Sequence, residues 1–265
     1  MTVDFQSQPQ GEDITPEQTP EVAFFHDGPL VKFTEIHGDH LYEQTTVYRR
    51  AVALVEDIAI DLFRVEGGET HDWMLHHGGT TPTFSLPMES GTFTPTEWLR
   101  GGTENVRSAM TDGAWSAQWP VGTVTSRVTM MGATKTTLFG LETWPLDNAT
   151  ITDAYPPTQT LAVRRSDDTP FLAVWDSWQD TPNLIEIHAA QNRPDAVRIT
   201  TRSHTYHAVF GGGVANFDDG IRVEHDGAFA LLRDDDAATL IGGSRLTFRN
   251  GQHTLSLGAD QPATL

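Results

Sequence analysis

The chain has 265 residues, of which 36 are Asp or Glu, 17 are Lys or Arg and none is Cys, for a formal net charge of −19. That length suits one large domain or two small ones, with a core that needs no cross-links. The charge leaves no basic footprint for nucleic acid. The missing thiols exclude disulfides, thiolate metal sites, iron–sulfur clusters and cysteine nucleophiles.

Lys32 and Lys135 are the lysines; the other basic residues are arginines. An acidic, lysine-poor surface is expected of a protein from high salt, where repulsion between carboxylates is screened. A genome that favours Arg codons would explain the swap, but not the charge excess. Apolar runs such as Ala51–Val55 fall far short of the roughly 20 residues that span a bilayer, so no membrane partner is expected. Met1–Pro20 has no basic start and no apolar stretch, so no signal peptide is read. Rich in Gln, Pro, Glu and Thr, residues 1–20 read as a disordered tail or linker, and 21–265 as the folded part.

Strand-like runs follow one another. Val47–Val55 opens the series, and Asp57–Val65 alternates, with Ile58, Ile60 and Leu62 on one face. Glu66-Gly67-Gly68-Glu69 reads as a turn, with Thr70–His77 returning as the second arm of a hairpin. Thr80–Gly102, with Pro82, Pro87 and Pro95, reads as an irregular excursion. Ala114–Pro120, Val124–Met131 and Thr136–Trp144 read as strands before the break at Tyr155-Pro156-Pro157. Thr160–Arg165 and Phe171–Trp175 form another hairpin candidate around Ser-Asp-Asp-Thr-Pro. Residues 201–265 read as a C-terminal meander, a candidate sub-domain, with turns at Asp226-Gly227 and Asn250-Gly251. The expected fold is all-β: a large antiparallel β-sandwich of two stacked sheets, with few or no helices.

Several side chains are candidates for chemistry. His71, Asp72, Trp73, His76 and His77 follow the Gly-Gly turn; imidazoles there could serve acid–base work or bind zinc, or be hydrogen-bonded strand residues. Strand geometry places His71 and Trp73 on one face, and Asp72 and His76 on the other. His37 and His40, in His-Gly-Asp-His, are candidate ligands for a divalent metal, zinc or calcium; a polar loop is the alternative. His204, Tyr206 and His207 include a Tyr–His pair suited to proton transfer, or to a hydrogen-bonded surface strand. Of seven tryptophans, Trp98 lies in a Gly/Thr/Pro-rich loop and is the best placed to stack on a sugar. The common nucleotide-binding, serine-hydrolase, zincin and EF-hand motifs are missing.

Tyr48–Gly79 (YRRAVALVEDIAIDLFRVEGGETHDWMLHHGG) resembles the β-sandwich part of the heparinase II/III-like polysaccharide lyases, including their oligoalginate-lyase relatives. The matching positions are Arg49, Arg50, Leu54, Val55, Asp61, Phe63, Arg64, Val65, Gly67, Gly68, His71, Asp72, Trp73 and His76. Leu161–Ile187 resembles a later strand pair of the same sandwich. The resemblance implies β-elimination on uronate glycans, with the catalytic Tyr and a His or Asn on a preceding helical toroid, and a metal site in an HxHxD-type segment. No toroid and no such segment is read here. The expected function is therefore the sandwich portion of such a lyase, with a polysaccharide or oligosaccharide as ligand and a separate toroid chain or domain as partner. The alternative is a non-catalytic carbohydrate-binding or structural sandwich. Arg49, Arg64, Asp72, Trp73 and Trp98 are the expected substrate contacts; His71, His76 and Tyr206 are the candidate catalytic groups. Arg50, Arg164 and Arg165 could join Arg49 and Arg64 in a positive wall facing the polyanion.

Overall fold

The computed structural model describes residues 2–6, 15–77, 80–94, 102–143, 158–234, 236–249 and 262–264. Its strands, in order, are β1 (Thr2–Val3), β2 (Glu21–Asp27), β3 (Lys32–His37), β4 (Val47–Val55), β5 (Ile58–Glu66), β6 (His71–His77), β7 (Thr83–Phe84), β8 (Glu89–Ser90), β9 (Thr103–Thr111), β10 (Trp115–Val121), β11 (Val124–Met130) and β12 (Thr136–Thr143). They continue as β13 (Thr158–Arg165), β14 (Phe171–Trp178), β15 (Leu184–Ala189), β16 (Ala196–Thr201), β17 (Thr205–Phe210), β18 (Gly213–Asn216), β19 (Arg222–His225), β20 (Phe229–Arg233), β21 (Ala237–Ile241), β22 (Leu246–Arg249) and β23 (Pro262–Thr264). One 3-10 turn at Pro16–Gln18 is the helical element among the described residues. The protein is all-β, built of packed antiparallel sheets, because alternating apolar residues and Gly/Asp/Asn turns recur through the sequence.

The chain divides into two compact units: Met1–Pro20, Gly38–Tyr48 and Arg64–Phe171 in the first, and Glu21–His37, Arg49–Phe63 and Leu172–Leu265 in the second. Where composition marks a boundary at residue 20, the chain carries Thr2 and Val3 into a sheet, paired with Asp72 and His71.

In the first unit, a sheet of order β1-β6-β13-β12-β9-β8 packs against a run of β11-β10-β7. Trp73, Leu161 and Val163 face inward from one layer, and Trp115, Trp119 and Val128 are buried in the other. The His77 ring stacks on Trp119 at 4.3 Å between centroids. The outer face of the larger sheet carries a second cluster of Phe93, Phe139, Leu141 and Ala162.

The second unit has three layers. The sheet β15-β16-β17-β20-β21-β23 lies between the β2-β3-β4-β5-β14 run and a three-stranded sheet, β18-β19-β22. Phe33 of β3 stacks on Phe229 of β20 at 4.8 Å. The opposite face of the same strands, through Val209, Ala230 and Leu232, meets Phe217, Val223 and Phe248. Burial on both faces explains why β21 reads as an unbroken run of buried residues, where a one-sided strand would alternate.

The glycine-marked turns differ from the expected hairpins. β6 pairs with β1 and β13 and not with β5, and β13 and β14 lie in different sheets. Gly67 and Gly68 take φ values of 88° and 82°, and the chain then leaves the β5 sheet because Asp4 accepts hydrogen bonds from the backbone of Glu69 and Thr70, both at 2.8 Å. Asp226-Gly227 likewise joins β19 and β20 of separate sheets. The Asp226 carboxylate takes the backbone N–H of Ser244 and Arg245 at 2.8 Å each. The hydrogen bond from the Ser244 hydroxyl, and after it these two backbone bonds, hold the Asp226 pKa down to about 2. The C-terminal third is thus a pair of stacked sheets exchanging strands, not a meander. The Asn250-Gly251 turn lies outside the described residues.

Candidate functional site

Within the first unit, Arg64–His77 and Leu161–Phe171, parts of the two segments that carry the family resemblance, meet and hold the fold. His71 is buried and bridges two carbonyl oxygens, Nδ1 to Asp167 at 3.1 Å and Nε2 to Gly67 at 2.8 Å. Asp72, on the opposite face, is fully buried and accepts both Nε and Nη2 of Arg164 at 2.7 and 2.9 Å. The Arg164 guanidinium also lies over the rings of Phe5, Phe93 and Phe139. Gly67 donates its N–H to Asp168. Arg165 is buried, which draws its pKa down to about 10, and it donates to the carbonyl oxygens of Met131 and Pro170. Trp73 is core.

The expected roles of His71 in catalysis, and of Asp72 and Trp73 in substrate contact, are therefore corrected: these groups are closed off from solvent and already partnered. The positive wall is corrected too. Arg164 and Arg165 point into the protein, and Arg50 is held by Asp61 in a two-bond pair at 2.8 and 2.9 Å. Arg49 and Arg64 are half-buried and each engages another group of the chain. His76 is exposed, with Nδ1 2.8 Å from the Thr160 hydroxyl. Trp98 lies outside the described residues.

In the second unit, Tyr206 is buried and its phenol is bound to Glu56; burial, first, raises its pKa far above the usual phenol range. A phenol held as a donor to a carboxylate cannot act as a base near neutral pH. His204 stands edge-on to Tyr206, with Nδ1 2.6 Å from Asp234. The pair named in the sequence is real in space but serves to join turns. His37 binds Glu35 at 2.8 Å, and His40 is exposed. Asp39, between them, accepts the backbone N–H of Tyr48. No group of three His, Asp or Glu is placed to hold a metal ion among the described residues.

A polar concavity lies elsewhere in the first unit. It has a volume of about 210 Å³ and is lined by Thr81, Asn105, Arg107, Gly140, Glu142 and Gln159. Cross-strand pairing builds it: Gly140 opposes Arg107, and Glu142 opposes Gln159 of β13. Between Gly140 and Glu142 the β9 register shifts. Asn105 sits at that bulge with φ of 50°, a left-handed value that Asn tolerates better than most residues. The bulge turns its amide onto Glu142, 2.8 Å from Oε2, while the Gln159 amide takes Oε1 at 3.0 Å. Each carboxylate oxygen keeps lone pairs for a further donor. The Arg107 guanidinium lies 5.3 Å from the Phe84 ring centroid. Phe84 is seated on Gly140, where a Cβ would come within 2.6 Å of its Cζ. Gly140→Ala is expected to displace Phe84 and to cost about 1–3 kcal/mol, read as a lower denaturant midpoint; an unchanged midpoint refutes this packing.

This arrangement offers amide and guanidinium donors, carboxylate acceptors and an aromatic ring, the groups that recognise a polyhydroxylated ligand. The sequence reading missed it. Asn105 and Arg107 lie on β9, over which no strand is expected, Gln159 lies just ahead of the strand expected from Thr160, and Glu142 alone falls in an expected strand, Thr136–Trp144.

No family model matches the chain, and no curated protein matches it. Among solved structures, it is similar to the heparan sulfate lyase HepC from Pedobacter heparinus, with a TM-score of 0.46 and 10% identity over 71% of this chain. The match covers 27% of that protein, so the chain corresponds to about a quarter of its length.

Proposed function

We propose that this chain is the saccharide-binding β-sandwich portion of a polysaccharide lyase acting on uronate-containing glycans, with the groups that perform β-elimination supplied by a separate helical toroid chain or domain. The observation that carries the reading is the concavity at the Asn105 bulge, whose hydrogen-bonding groups suit sugar hydroxyls. The family resemblance of Tyr48–Gly79 supports it. β-Elimination needs a positioned base and a donor for the leaving oxygen at one accessible site. Tyr42, Tyr48 and Tyr206, the tyrosines among the described residues, are all buried, which favours binding over turnover by these residues alone.

The test is a continuous ultraviolet assay for the conjugated product of β-elimination on a panel of uronate polysaccharides, run beside calorimetric binding to oligosaccharides from the same panel. The expected result is heat of binding with a flat absorbance trace. A rise in absorbance from the purified chain overturns the division of labour; absence of binding across the panel overturns the saccharide reading.

A further inference from the structure

The geometry points to Arg107 as the residue that selects an acidic saccharide at this concavity, by donating to a carboxylate or sulfate of the bound sugar; the inference rests on the saccharide-binding reading above. The distribution of donors and acceptors carries it. Glu142 has a donor on each oxygen, from Asn105 and Gln159. Arg107 has no ion-pair partner among the described residues, and its guanidinium lies over the Phe84 ring within a half-buried surround. The first unit's other well-placed guanidiniums are consumed: Arg164 by Asp72, and Arg165 by backbone carbonyls.

A guanidinium presents five N–H donors in a planar fork that matches the two oxygens of a carboxylate or a sulfate. Partial burial strengthens that bond relative to water. The Phe84 ring attracts the guanidinium through its face and offers no acceptor that would compete with a ligand for the N–H donors. On a protein of net charge −19, non-specific attraction cannot draw in a polyanion, so recognition has to come from a local cation of this kind.

The experiment is isothermal titration calorimetry of the full chain with three ligands: a uronate tetrasaccharide, the same tetrasaccharide with its carboxyl groups reduced to alcohols, and a carboxyl-free sulfated tetrasaccharide. Reduction is expected to weaken binding about ten- to a hundredfold, the range for losing a charge-assisted hydrogen-bond pair. Arg107→Gln is expected to remove that discrimination without a change in melting temperature. Arg107→Lys, which keeps the charge but loses the fork, should fall between. Sulfated ligand binding as well as the uronate means that the fork reads either anion; binding only the uronate assigns the site to carboxylates. Equal affinity for the native and reduced ligands overturns the role of Arg107 while leaving saccharide binding standing. Binding to none of the three overturns both. Should Arg107→Gln fail to fold, the comparison of native and reduced ligands on the unaltered protein still decides.

Discussion

Acidification from pH 7 to pH 4 is expected to cost this protein about 3 kcal/mol at each of two histidines, His77 and His225. Both are buried, and burial is the first cause that draws each pKa down to about 4. The neighbouring His76 adds to the effect at His77. At His225, Arg193 adds to it, while Asp226 and Asp195 oppose it. An unfolded histidine takes its proton near pH 6.5, whereas the folded one stays neutral until about pH 4. Between those values the unfolded state binds more protons, so stability is complete above pH 6.5, falls as the pH drops, and levels off below about 4. Their surroundings agree with the neutral form. His225 Nδ1 accepts the N–H of Gly227 at 3.2 Å, and the His77 ring is stacked face to face on Trp119. Denaturant titrations at pH 7 and pH 4.5 check this. His77→Phe, which keeps the stack, and His225→Gln should each show a smaller pH-dependent loss than the parent by about 2–3 kcal/mol. Equal losses in parent and variants refute it. The two sites lie in different units.

Removing Asp72 should destabilise the protein by about 3–5 kcal/mol, the usual cost of leaving one partner of a buried ion pair uncompensated. Asp72 is fully buried and accepts two hydrogen bonds from Arg164, plus one from the Thr2 hydroxyl at 3.3 Å. In Asp72→Ala the guanidinium would remain among Phe5, Phe93 and Phe139 without a counter-charge. The pair joins β6 to β13 across the position where β1 adds its edge, so its loss should loosen the N-terminal strand first. Replacing both partners, Asp72→Leu with Arg164→Met, should recover most of the loss, because an apolar pair of similar volume carries no unpaired charge. A double-mutant cycle in denaturant measures the coupling. A loss below about 1 kcal/mol for Asp72→Ala would show that the pair contributes no more than an exposed salt bridge does.

The same residues show what was legible beforehand. Many strand and turn positions follow from local rules, since side-chain alternation and the φ demands of Gly67 and Gly68 act over a few residues. β2, β3 and β9, which lie ahead of Val47 or beyond the Pro-rich excursion, were passed over. The alternation that separates His71 from Asp72 is present in the structure, where they oppose Arg165 and Arg164 respectively. The part played by Arg50, His71 and Asp72 was misread. Residue types that suit catalysis in a cleft suit equally well a buried bond to a carbonyl or a guanidinium, and only burial tells the two apart.

By itself, then, the sequence determined an all-β protein of antiparallel strands with a formal net charge of −19, because periodicity and turn chemistry are properties of short stretches and charge is a property of composition. The tertiary structure decided which strands share a sheet. A glycine turn reverses the chain whether the next strand pairs beside the last or crosses to another layer, and the difference lies in distant groups such as Asp4, Asp168 and Ser244. It also decided which side chains line the concavity. Asn105 and Glu142 are 37 residues apart, and they meet through the register shift in β9 and the pairing of β9, β12 and β13, a non-local arrangement that no window along the chain contains.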